Sequence, residues 1–261
     1  MNLQPIPVKQ SLEYKIKSCL KCNGKLTLQY FNFSPFAFRM SKSKKSGYIP
    51  RKNRVKYSSQ LTLPINLKVW SSSHGCERHH LPSKLRKRLR NQSRFTLPLF
   101  NAQGGRRITP RIVGDICSDM SRGYGKPQCH VLILGSNNLR RGEEPSEVCN
   151  LFNQILQHGS NIPKCHVVVC GILPSPEETT QSKVVFEDTS SLLKSLVKGY
   201  RKKSSFFNTA KLFQKHGRVR KRFFKRRNGQ VDIHLRRRGA RLMSKILKKH
   251  LMSHFPNILT N

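Results

Sequence analysis

The amino-acid sequence predicts an α/β protein, a three-layer α/β/α sandwich built on a parallel five-stranded sheet. Three observations carry this. Short continuous apolar runs, HVLILG at 130–135 and HVVVCGILP at 166–174, have the length and composition of strands buried on both faces. Between such runs lie segments whose apolar residues recur every three or four positions, the period of a helix with one inward face. The two kinds alternate along the chain, which implies parallel strands joined by right-handed helical crossovers in a doubly wound arrangement.

In order, Leu67–Trp70 reads as the first strand and ends in a Ser/Gly turn. Ser83–Asn91 (SKLRKRLRN) opens a helix with Leu85 and Leu89 four apart. Arg107–Val113 reads as the second strand and His130–Gly135 as the third. Pro145–His158 is a helix with Val148, Leu151, Phe152, Ile155 and Leu156 on one side. Cys165–Ile172 is the fourth strand, Phe186–Lys198 a helix, and Ser205–Asn208 a short fifth strand. Arg237–His250 closes the domain as a helix with Leu242, Ile246 and Leu251 inward.

Residues 1–66 are different in kind. They carry 13 Lys or Arg and one acid, Glu13, and keep neither helical nor strand periodicity for long. The expected organisation is a basic, largely flexible arm at 1–66, with short strands at Lys25–Phe33 and Ser58–Leu63, a folded domain at 67–254 and a tail at 255–261. No run approaches the roughly 18 apolar residues of a membrane helix. The N-terminus has no apolar core of signal-peptide length. The chain is therefore expected inside the cell, nuclear or cytoplasmic rather than secreted, with Cys117, Cys165 and Cys170 as reduced thiols in packed settings.

In a doubly wound sheet, ligands bind beyond the carboxyl ends of the strands, so the loops there are where chemistry is expected. After the first strand comes Ser71-Ser72-Ser73-His74-Gly75; after the second, Val113-Gly114-Asp115; after the third, Gly135-Ser136-Asn137-Asn138-Leu139. Before the last helix comes Val231-Asp232-Ile233-His234-Leu235. A serine hydroxyl needs an imidazole to take its proton, and a tetrahedral oxyanion needs donors fixed in advance. Taken singly, each residue has an ordinary explanation: Ser73 as a turn residue, Gly114 as backbone relief, Asn137 as a loop former, His234 as a structural histidine.

Together, the order and spacing of these blocks resemble the SGNH (GDSL-type) hydrolase family, most specifically in LILGSNNLRRG and DIHLRRRGARL. The resemblance covers about residues 66–252. It implies a flavodoxin-like sandwich and a serine esterase or acyl hydrolase acting on an acyl ester. Ser73 would be the nucleophile, His234 the general base, and Gly114 and Asn137 oxyanion donors. It implies no cofactor and no metal. Two departures stand out. The first block reads Ser-Ser-Ser where the family reads Gly-Asp-Ser, and position 231, where the family places the Asp that orients the base, is Val. Short, degenerate domains of this type look like those carried by animal retroelement open reading frames, which include both esterases and non-catalytic RNA-binding modules.

The charge points to a second partner. The chain has 51 Lys plus Arg against 12 Asp plus Glu, a net +39, more than solubility requires. A polyanion is the expected counterpart, and nucleic acid, RNA in particular, the commonest. The candidate contacts are Arg218, Arg220, Lys221, Arg222, Lys225, Arg226, Arg227, Arg237 and Arg241, with a further patch at 84–90. Phe223 and Phe224, within the basic stretch, are candidates for stacking on unpaired bases. Cys19-x-x-Cys22 invites a zinc reading with Cys76, His79 or His80, but one such pair without a second at finger-like spacing favours plain reduced cysteines.

Overall fold

In a computed structural model of the chain, the described residues are 63–72, 76–174, 176, 180–227 and 230–255. Residues 1–62 of the arm, with the expected strand at 25–33 and all but the last residue of the one at 58–63, and the residues after 255 lie outside them.

Five parallel strands form one sheet in the order β2-β1-β3-β4-β5, with β1 at Asn66–Ser71, β2 at Leu99–Ala102, β3 at Gln128–Ile133, β4 at Cys165–Cys170 and β5 at Ser204–Phe207. All six residues of β3 and of β4 are buried, as befits central strands covered on both faces. The helices are α1 (Cys76–Leu89), α2 (Pro110–Arg122), the single turn α3 (Ser136–Leu139), α4 (Pro145–Asn161), α5 (Thr180–Gly199), the single turn α6 (Ala210–Phe213) and α7 (Arg237–His254).

Alternation along the strands divides the core in two. Leu67, Val69, Cys129, Val131 and Val168 face a layer made by α1 and α7, through Leu81, Leu85, Leu89, Met243, Leu247 and Leu251. Trp70, Leu132, Val167 and Val169 face α2, α4 and α5, through Ile116, Met120, Phe152, Ile155 and Leu193. This is the expected three-layer sandwich.

One expected strand is absent. Residues 107–113 run into a helix, not along a strand, because Thr109 caps α2 by accepting from the Ile112 N–H at 3.4 Å and Pro110 occupies its first turn. Ile108 and Val113 are buried, but Val113, Ile116 and Met120 repeat at the helical period. The true second strand is the four-residue edge strand β2, half exposed. The folded body also extends past the expected limits at both ends. Ile65 pairs with Phe95, and the buried Phe255 ring meets that of Phe95 edge-on at 5.2 Å.

A second difference lies before the last helix. The basic stretch is an antiparallel hairpin, β8 (Phe224–Arg227) with β9 (Gln230–Leu235), preceded by a minimal two-residue pair, β6 (Gln214–Lys215) and β7 (Arg218–Val219). Inside α7, Leu242 and Ile246 are only partly covered, while Ala240, Met243, Ser244, Leu247 and Leu251 are the buried stripe.

Candidate active site

The chain runs outward from β1 to β2, then crosses back to β3 and continues to β5, so the direction reverses between β1 and β3. That reversal leaves a crevice beyond the carboxyl ends of β1 and β3, the place where doubly wound folds bind ligands.

Ser71 ends β1, and Ser72 extends the ladder by one residue, donating its N–H to the Ile133 carbonyl at 3.1 Å. Ser72 is 5% exposed. Its carbonyl accepts from Asn137 Nδ2 at 3.2 Å, and the same Nδ2 donates to the Arg106 carbonyl at 3.1 Å. The half-buried Asn137 thus ties together the loops after β1, β2 and β3. Its presentation depends on Gly135, whose φ of +97° is the left-handed region and whose missing Cβ would come within 3.0 Å of Ile172 Cδ1. Ser73, the expected nucleophile, lies outside the described residues.

Asn138 has a separate task. It is fully buried, accepts from the Ile108 N–H at 2.9 Å, and donates to the Ile108 carbonyl at 2.8 Å and to Glu143 Oε2 at 2.6 Å. Glu143 Oε1 in turn pairs with Arg107 at 2.8 Å. This network anchors the chain entering α2. Arg106 anchors the stretch before it, its guanidinium reaching Asn101 Oδ1 at 2.8 Å and Gln103 Oε1 at 2.9 Å. Between these anchors sits Gly104-Gly105, exposed, with Gly105 at φ +67°.

Gly114 does not occupy the place expected for it. It is an exposed residue inside α2, where a backbone N–H points along the helix to the carbonyl four residues earlier and is not free to hold an oxyanion. The glycines that follow the second strand are Gly104 and Gly105. The sequence signals that mark them are the Thr109-Pro110 helix start, which moves the strand upstream, and the Gly-Gly pair itself.

His234 is on β9, half-buried, three residues before the start of α7. The far end of α7 is fixed by His250, whose Nε2 is 3.0 Å from Ser205 Oγ at the start of β5, and by Phe255, edge-on to His166 at the start of β4 at 5.4 Å. A helix of 18 residues spans about 27 Å, more than the roughly 20 Å of a six-residue strand. α7 is thus long enough to reach from the amino edge of the sheet to the carboxyl edge, the edge where Ser72 and Asn137 meet. The side chain of Asp232, the nearest carboxylate in sequence, lies outside the described residues.

Of the basic candidates, Arg218, Lys221, Arg222, Arg226, Arg237 and Arg241 are exposed and Arg220 and Lys225 half-buried; the Arg227 side chain is not among those described. Phe223 and Phe224 are 6% and 1% exposed, so they are core residues and not stacking platforms. The Arg220 and Arg222 guanidiniums lie over the Phe223 ring, 4.6 and 5.1 Å from its centroid. Cys19 and Cys22 lie outside the described residues, as do the side chains of Cys76 and His79. Among the described residues no group of three or more potential ligands could hold a metal ion, and no helix is long and apolar enough to cross a membrane.

A cleft of about 480 Å³ lies beside β2, lined by Lys68, Trp70, Phe100, Asn101, Asp119 and Arg122. Neither Asn137 nor His234 lines it, so it is separate from the crevice.

No family model and no curated protein matches the chain by sequence. Solved structures match it by fold. A member of the lipolytic protein G-D-S-L family from Veillonella parvula superposes with a TM-score of 0.53 at 15% identity, covering 74% of this chain and 99% of that one. The aryl esterase of M. smegmatis gives 0.51 at 12% identity, over 73% and 100%. The salicylyl-acyltransferase SsfX3 from a tetracycline biosynthetic pathway gives 0.55 at 10% identity, over 76% and 57%. The parallel sheet, its strand order and its two helical layers are thus those of an SGNH-like fold.

Proposed function

We propose that the protein is a serine esterase that hydrolyses acyl esters in the crevice between β1 and β3. The observation that carries this reading is Asn137, a carboxamide held at the meeting point of three strand-end loops, one residue from Ser73 through the Ser72 carbonyl. In the reaction, Ser73 Oγ attacks the ester carbonyl and its proton passes to a ring nitrogen of His234. The C=O electron pair moves to oxygen, and the oxyanion takes hydrogen bonds from Asn137 Nδ2 and from backbone N–H groups of the Gly104-Gly105 loop. Asn137 releases one carbonyl to do this. Bonds of 3.1 and 3.2 Å to neutral carbonyls are weaker than one to a full negative charge. Collapse expels the alcohol, which takes the proton from His234, and water then cleaves the acyl-Ser73 ester by the same route.

The experiment is hydrolysis of short-chain p-nitrophenyl esters by the full chain beside Ser73→Ala. A loss of about 10³-fold or more in kcat is expected. Equal rates in the two proteins overturn the proposal.

A second reading is supported by the charge distribution: a nucleic-acid-binding module on the same scaffold, working in the nucleus or cytoplasm, with its Lys/Arg runs serving as import signals. Three ion pairs join described side chains, Lys68–Asp119, Arg122–Asp119 and Arg107–Glu143, and none engages a cation of α1, the β8–β9 hairpin or α7. The two activities are compatible in one chain.

A further inference from the structure

We infer that α1 and α7 form one continuous cationic platform that binds the phosphate backbone of nucleic acid without reading bases. This rests on the second reading above and gives it a location and a mode.

The charge is segregated by layer. Every described acidic side chain lies on α2, α4, α5 or the loop leading into α4: Asp115, Asp119, Glu143, Glu144, Glu147, Glu187 and Asp188. The opposite layer, α1 with α7, holds 11 Lys or Arg positions against one acid, Glu77. In the sequence the patch at 84–90 and the one at 237–249 are far apart; in the fold they merge. Arg88 Nε donates to Ser244 Oγ at 3.2 Å, which fixes the middle of α7 beside the end of α1. Lys84 is depressed below its ordinary range chiefly by Arg237, then by slight burial and by Arg241, Lys87 and Arg88, so these cations share one neighbourhood. On α7, Arg237, Arg241, Lys245 and Lys248 recur at helical spacing on one side.

Such crowding costs free energy in the unbound protein and is relieved by a ligand with closely spaced negative charges, which a phosphodiester chain supplies. An anionic bilayer is disfavoured because the large exposed apolar side chains, Leu63, Leu97, Leu99, Tyr124, Val184 and Leu192, all lie off α1 and α7. Base stacking is disfavoured because Phe223 and Phe224 are in the core.

The test follows binding of the full chain to short double-stranded DNA and single-stranded RNA of unrelated sequences, by fluorescence anisotropy across a salt series. Comparable affinity for different sequences and a steep negative log–log slope are expected. In a variant carrying Lys84→Gln, Arg88→Gln, Arg237→Gln and Arg241→Gln, the slope on duplex falls by roughly 3 to 4. A charge-matched control on α5 and just beyond it, Lys194→Gln, Lys198→Gln, Arg201→Gln and Lys202→Gln, leaves it unchanged. If the first variant fails to fold by circular dichroism, Arg237→Gln with Arg241→Gln, both exposed, reads the same change at about 2. Absence of salt-dependent binding by the wild type overturns the nucleic-acid reading itself. Equal slopes in variant and control overturn only the location. A strong sequence preference overturns the backbone mode. Binding to phosphatidylserine vesicles in preference to either nucleic acid overturns the choice of partner.

Discussion

At the scale of single residues, two adjacent asparagines divide the work. Asn137 makes long bonds to two carbonyls whose chains are otherwise held, while Asn138 is buried and makes shorter bonds, two of them with the fully buried Ile108. Asn137→Ala is expected to lower kcat by about 10²–10³-fold with little change in stability, since one hydrogen-bond donor aimed at an oxyanion is worth about 2.7–4 kcal/mol. Asn138→Ala strands the buried N–H and carbonyl of Ile108 and frees Glu143, and is expected to destabilise the fold by roughly 2–4 kcal/mol. Esterase rates and urea midpoints of the two variants separate the roles. A variant pair in which Asn137→Ala unfolds and Asn138→Ala only slows turnover reverses the assignment. Cys165 and Cys149 are not poised as nucleophiles. Burial pushes Cys165 up to about 12 and Cys149 to about 11, which keeps both protonated and unreactive at neutral pH.

At the scale of elements, the position of His234 depends on how the hairpin hands over to α7. The Phe223 carbonyl accepts from the Arg236 N–H at 2.8 Å, and a Cβ at Gly239 would collide with that same carbonyl and press on Leu235 Cδ2 at 3.1 Å. Gly239→Ala must push α7 away from the hairpin that carries His234. It is expected to cost about 1–3 kcal/mol in stability and to lower esterase activity beyond what the lost stability explains. Thermal unfolding and kcat measured together check this, and a variant with wild-type values in both refutes the tight handover. The elements legible in the sequence were those that bury the most apolar surface. β3 and β4 announce themselves by unbroken apolar runs, and α4 by five apolar residues on one side. The illegible ones were marginal in the same physical sense. β2 is four residues long at a half-exposed edge, and placing the second strand downstream of it makes Gly114, instead of Gly104-Gly105, the glycine that follows that strand. In the β8–β9 hairpin, dense positive charge hides the strand pattern, and two aromatic core residues look like surface residues because their neighbours are cations. Of the crevice, the loops after β1 and β3 were legible because strand-end loops recur in a fixed order; the Arg106 anchor was not, because its partners Asn101 and Gln103 are polar residues with no periodicity.

At the scale of the whole molecule, acid should be the decisive stress. His130 is buried, accepts from Trp70 Nε1 at 3.3 Å and reaches Gln128 at 2.9 Å; burial lowers it to about 4. His166 is lowered to about 3, mainly by burial and then by His254 and His250, and His250 to about 4 by burial and then His254. Each is neutral in the folded protein at pH 7. The unfolded chain takes up its protons near 6.5, the folded one only near 4 or 3. Between those values the unfolded state holds more protons, so stability is complete above about pH 6.5 and falls as pH falls toward 4. For His130 and His166 the loss by pH 4 is roughly 3 kcal/mol apiece, against the 5–15 kcal/mol of an ordinary domain. Protonation of the 10 histidines also adds to a net +39, so self-repulsion acts in the same direction. Salt distinguishes the two contributions: it screens repulsion between exposed charges but does not hydrate a buried imidazole. The urea midpoint is therefore expected to drop between pH 7 and pH 4 and to be restored only in part by high salt. Full restoration would assign the acid sensitivity to surface charge, and a midpoint that stays flat down to pH 4 would mean that these histidines are not held neutral by the fold.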